Sequence, residues 1–145
     1  MPFVSITRLR IRSFWFMPLF AVYTQRSLRQ VKAATGFHAG GLLPDRKNTF
    51  WTMTLWDSME SMRRYITAGA HKAAMPKLMR WCDEASVAHW DQDDHALPSW
   101  EEADRRMRGE GRISKVRYPS PHHADMTFDE PRVSRGVTFQ PSRGK

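Results

Sequence analysis

The sequence contains a single cysteine, Cys82. That excludes an intramolecular disulfide and a structural zinc site built on several thiolates. It suits a reducing cytoplasm, and Cys82 itself reads as a small buried hydrophobe. Carboxylates are missing from the first 44 positions, which hold Arg8, Arg10, Arg12, Arg26, Arg29 and Lys32 before the first acid, Asp45. Long apolar runs are missing as well. The most apolar stretch, Ser13–Tyr23, has eleven residues and contains Pro18, where a membrane span needs about 20. No small-residue cleavage site follows it, which argues against a secretory leader. Cationic flanks around its aromatic residues leave peripheral contact with an anionic membrane open. There is no zinc-finger spacing and no basic region leading into heptads, so nucleic acid is not an expected partner. The net charge of +8 then reads as a solvated basic face.

What is present suffices for a core: 41% hydrophobic residues and six Trp, in a length that suits one domain with an appendage. Residues 3–11 (FVSITRLRI) are rich in β-branched and apolar types and read as a strand. Phe3, Ser5, Thr7, Leu9 and Ile11 would face one way, and Val4, Ile6, Arg8 and Arg10 the other. Residues 14–34 favour helix, with Leu19, Val22, Tyr23, Leu28 and Val31 as the expected inward stripe. Gly36 is placed to end that helix in the left-handed conformation.

Residues 37–43 read as a second strand loosened by Gly40-Gly41, and 45–48 as a turn. The best strand is 49–56 (TFWTMTLW), with Trp51, Met53 and Leu55 on a wholly apolar face. Phe50, Thr52, Thr54 and Trp56 make the mixed face. Asp57 fits an N-cap with Glu60 as its capping-box partner. Met59, Met62, Tyr65 and Ile66 follow on that helix. After Gly69 a second helical piece, 71–84, is expected to carry Met75, Leu78, Met79 and Cys82 inward. Residues 85–91 read as a fourth strand.

This βαββαβ order predicts an α+β fold of the ferredoxin-like type over residues 1–97. Two helices cover only one face of a four-stranded sheet. A second subunit packed on the other face, giving a homodimer, is the expected cover. Residues 98–145 read as an appendage: a short charged helix at 100–108, capped by Ser99, then a Pro/Arg-rich tail. That tail is expected to be mobile or strapped across the partner.

Three segments resemble the antibiotic-biosynthesis monooxygenase superfamily of dimeric α/β-barrel proteins: TMTLW at 52–56, DSMESMRRY at 57–65 and TAGAHKAAM at 67–75. Within it the chain looks most similar to a branch around spheroidene monooxygenase, a haem-dependent carotenoid oxygenase. The resemblance covers about residues 3–92. It implies a cavity between sheet and helices and a hydrophobic, aromatic or polyene, small molecule as substrate.

Matching through Thr54-Leu55-Trp56 places Thr7, Tyr65 and Met75 where haem-degrading relatives carry Asn, Trp and His. All three differ, which argues against haem degradation of that type. His71 is the candidate axial ligand or proton shuttle, with Tyr65 as a polar wall. Haem, if used, would involve His71 and Met75, with Arg8 toward a propionate; otherwise the reaction is cofactor-free. Thr7, Trp51, Thr52, Thr54, Trp56 and Met62 are the expected pocket lining. His89, Asp91, Asp93, Asp94 and His95 lack a diagnostic metal spacing, so no metal site is expected. The alternative to an enzyme is a non-catalytic dimeric module binding a hydrophobic small molecule.

Overall fold

The structure, a computed structural model, describes residues 1–142. Its strands are β1 (Phe3–Ile11), β2 (Phe37–Asp45), β3 (Thr49–Trp56), β4 (Cys82–Asp91), β5 (Arg112–Ile113) and β6 (Val137–Phe139). Its helices are α1 (Met17–Lys32), α2 (Met59–Ile66), α3 (Gly69–Trp81) and α4 (Trp100–Glu110), and a 3₁₀ turn (Phe14–Phe16) leads into α1. The sheet is antiparallel, in the order β5-β4-β1-β3-β2-β6. Its central four strands have the ferredoxin-like order. The α+β reading of the sequence holds.

The alternation seen in β1 sorts the two faces as expected. Phe3 and Ile11 are buried on the helix side, within clusters that include Val31 and Met62 at one end and Phe20 and Trp81 at the other. Val4 and Ile6 are buried on the opposite side with Leu43, Trp51, Met53 and Leu55. Gly36, at φ 88°, ends the turn after α1, and its carbonyl accepts from the Asp57 amide at 2.8 Å. A side chain there would strike Asp57 and Ser61. Lys47 and Asn48 close the β2–β3 turn with φ of 57° and 58°.

Local corrections follow from geometry. The cap of α2 is Ser58, whose hydroxyl accepts from the Ser61 amide at 3.2 Å. Asp57 instead accepts from the Ser58 hydroxyl at 3.1 Å, so the Asp57–Glu60 capping box is not formed. The fourth strand begins at Cys82, so α3 ends at Trp81 rather than at 84. Leu19 and Val22 do not face inward; both are exposed, while Phe20 and Val31 provide the buried stripe of α1. Met75 and Met79 are likewise exposed on α3.

The second sheet face is covered from within the chain. Ala103 and Met107 of α4 are fully buried against Val4, Ile6 and Trp51, joined by Leu97, Trp100, Met126 and Phe128. The chain's own C-terminal third therefore fills the face assigned to a partner subunit. The tail also joins the sheet. β5 pairs with β4 and β6 pairs with β2, extending the sheet at both edges. Gly40 makes room for this, since a Cβ there would lie 2.2 Å from the Phe139 ring. The last three residues of the expected tail, 143–145, lie outside the described residues.

Candidate functional site

Strand register brings the hydroxyl-bearing residues together. Ser5 pairs with Thr54 and Thr7 with Thr52, so all four side chains share the helix-side face. β4 adds His89 beside Ser5 and Val87 beside Thr7, and β2 adds Gly40 and Leu42 on the far side of β3. These rows cross the middle of the sheet, between the two apolar clusters of the helix face. Ser5, Thr7, Thr52, Val87 and His89 remain only partly buried there.

An aromatic wall borders this floor. Phe3 is registered against Trp56 across β1 and β3. The Trp56 ring lies 5.4 Å from Tyr65, and Tyr65 lies 4.9 Å from His71. On the other flank Phe3 sits 5.4 Å from His89. The row His71–Tyr65–Trp56–Phe3–His89 thus runs from α3 through α2 to the sheet. Met62 is buried in the cluster behind it.

The polar groups of the row are held in definite states. The Tyr65 hydroxyl donates to the Ser27 carbonyl at 3.2 Å, and burial pushes its pKa well above the ordinary phenol range. The His71 amide donates to Gln30 Oε1 at 2.9 Å, while Nδ1 lies 3.3 Å from the Ile66 carbonyl. A carbonyl only accepts, so that contact assigns the proton to Nδ1 and leaves Nε2 with a free lone pair. Burial lowers the His71 pKa despite this hydrogen bond, keeping the ring neutral near pH 7. His89 is lowered too, by burial first and then by the charges of Arg112 and Arg63. Trp56 Nε1 is buried without a hydrogen-bond partner among the described residues; such a donor costs about 1–3 kcal/mol. Cys82, fully buried, has its thiol pushed up to about 12 by burial and by Asp83, which makes it inert as a nucleophile.

Of the expected site residues, Tyr65, His71, Trp56, Met62, Thr7, Thr52 and Thr54 share one face. Three do not join them. Trp51 is registered with Arg8 on the opposite face, where its Nε1 donates to Asp45 at 3.3 Å. Met75 is 45% exposed. Arg8 is buried across the sheet, donating to Glu84 at 2.7 Å under the ring of Phe128. A haem held by His71 and Met75 with Arg8 on a propionate therefore does not fit, because the sheet separates Arg8 from the other two. His89, which the sequence offered only within a His/Asp group without metal spacing, joins this face through β4. Its only signal was its parity with Val87, which fixes a face but names no neighbour.

The opposite face carries a cavity of about 270 Å³ between the sheet and the 120–130 segment. Arg8, Arg10, Arg46 and Lys47 are matched in it by Asp45, Glu84, Asp129 and Glu130. Glu84 is already satisfied by Arg8, by Arg10 at 2.9 Å and by the Ser120 hydroxyl at 2.8 Å. Balanced charge of this kind selects no ligand of one sign. Among the described residues no three His, Cys, Asp or Glu side chains group to hold a metal ion.

An antiparallel ferredoxin-like sheet with a hydroxyl floor and an aromatic wall under its helices defines an α+β domain with solved counterparts of the same fold. Rv0793 from Mycobacterium tuberculosis superposes with a TM-score of 0.58 at 13% identity, covering 66% of this chain and 99% of its own. A conserved protein from Methanosarcina mazei Go1 gives 0.56 at 11% identity, covering 64% and 94%. A Fusobacterium nucleatum protein, provisionally named a monooxygenase, gives 0.50 at 11%, covering 64% of this chain and 49% of its own. The chain belongs to the DUF3291 family, described as a domain of unknown function, which it matches over residues 20–130. No curated protein matches it.

Proposed function

We propose that the chain is a monooxygenase-like enzyme that oxidises an electron-rich aromatic molecule on the helix side of the sheet, with His71 as the base. The observation that carries this reading is a neutral imidazole, its Nε2 free, closing an aromatic row beside a hydroxyl-lined floor. The aromatic residues would bind a planar ring. The fold neighbour provisionally named a monooxygenase agrees with this class.

The split of Arg8 from His71 and Met75 favours chemistry without haem. A substrate oxidised without a cofactor must supply the electrons itself, so it needs a proton acidic enough for an imidazole to remove. Phenols and activated methylenes of aromatic systems meet that requirement. A polyene, the substrate class implied by the spheroidene monooxygenase branch, lacks such a proton and would need a cofactor.

The test is oxygen uptake by the purified chain with a panel of hydroxylated polycyclic aromatics. Uptake should fall at least about a hundredfold in His71→Ala, the scale of a general base, with ligand binding retained. Saturable quenching of Trp fluorescence without oxygen uptake by any substrate would replace this reading with the non-catalytic binding module. A Soret band that disappears in His71→Ala would restore haem.

A further inference from the structure

The outer surface of the helix layer carries a feature that the candidate site does not use. Phe14 and Trp15 of the 3₁₀ turn are 76% and 87% exposed, and Leu19 and Val22 of α1 are 53% and 46% exposed. Trp15, Leu19 and Val22 recur at i, i+4 and i+7, opposite the buried Phe20 and Val31. One stripe of the helix thus turns a large apolar surface to solvent, and its continuation is Arg26 and Arg29. α3 lies antiparallel to α1, with Trp81 5.8 Å from Tyr23 at one end and His71 bonded to Gln30 at the other. It adds exposed Met75 and Met79.

The charge around this surface has one sign. Neither residues 14–32 nor residues 69–81 contain a carboxylate. Among the described residues Arg12, Arg26, Arg29, Lys72, Lys77 and Arg80 form no ion pair. Elsewhere the chain does pair its cations: on α4, Arg105, Arg106 and Arg108 each meet Glu102, Glu110 or Asp104 at 2.7–3.1 Å. A second copy docked on this surface would set like charges against like. A surface of anionic headgroups over acyl chains complements both features, drawing the cations to phosphates while Trp and Phe enter the boundary layer.

We propose that the 3₁₀ turn, α1 and α3 form a docking surface for anionic lipid membranes, peripheral rather than spanning. No described helix is long and apolar enough to cross a bilayer. This inference stands apart from the enzymatic reading, since His71→Ala leaves the surface intact.

The experiment is co-sedimentation of the full chain with vesicles of mixed phosphatidylglycerol and phosphatidylcholine, and with phosphatidylcholine alone. Binding is expected to the mixed vesicles only, to weaken with salt, and to give quenching of Trp fluorescence by brominated lipid that Trp15→Ser removes. Phe14→Ser with Trp15→Ser, and separately Arg26→Glu with Lys77→Glu, should each lower partitioning at least about tenfold with the melting temperature held. Absence of binding, equal binding to neutral vesicles, or a solution dimer dissociated by Phe14→Ser with Trp15→Ser would each overturn it.

Discussion

Arg8 donates to Glu84 at 2.7 Å across β1 and β4, and both side chains are almost wholly removed from solvent. Burial alone would raise the Glu84 pKa. Hydrogen bonds from Arg8, Ser120 and Arg10, with the charge of Arg8, reverse that and hold it below the ordinary carboxylate value. Glu84→Gln leaves a guanidinium buried without its counter-charge and should destabilise the fold by about 3–5 kcal/mol. Replacing both residues, Arg8→Met with Glu84→Leu, should recover a good part of that loss in urea unfolding. If the double variant is no better than Glu84→Gln, the buried charge is not the source of the loss.

The two lowered histidines give a pH dependence of defined sign. His71 and His89 bind protons more weakly in the folded state than at the ordinary value of 6.5. The unfolded chain therefore takes up protons first as pH falls, so stability declines from about pH 6.5 downward and levels off below the folded pKa values. His71→Phe should flatten part of that decline in melting curves taken across this range. The proposed oxidation should lose rate on the same side, with a midpoint below 6.5, because only neutral imidazole accepts a proton.

α4 seals the second face of the sheet largely through Met107, fully buried there with Ala103. Met107→Ala should cost about 2–5 kcal/mol, the range for emptying a packed methionine site, read as a lower urea midpoint. The intact chain should sediment as a single copy at concentrations where Met107→Asp, which drives α4 off the apolar face, self-associates. A stable dimer of the intact chain that survives with α4 in place would show association through another surface.

Much of this architecture was written in local pattern. The alternation in β1 and β3 assigned Val4, Ile6, Trp51 and Met53 to one face and Thr7, Thr52, Thr54 and Trp56 to the other, because a strand's period of two is a property of its backbone. What stayed hidden depends on partners far away in sequence. Nothing near Met107 says that it will cover the sheet's second face. Nothing near Arg8 says that Glu84 will neutralise it 76 positions later. Met75 and Met79 share a helix with Leu78 and Trp81, and hydrophobicity alone does not say which pair turns to α1. The aromatic row was half legible: Tyr65 and His71 follow from helical spacing, whereas His89 enters only through the pairing of β4 with β1.

Phe139 gives the chain a particular order of assembly. Its ring stacks on Phe37 at 5.6 Å, and Phe37 meets Trp56 at 5.5 Å, so one of the last described side chains closes the apolar cluster behind the candidate site. A ribosome releases residue 139 after everything else in that cluster has emerged. During synthesis the nascent sheet waits with its β2 edge unpaired and this cluster unsealed. The aromatic wall of the candidate site is thereby braced by a strand that is synthesised after every other member of its cluster, and that covers an edge otherwise open to pairing.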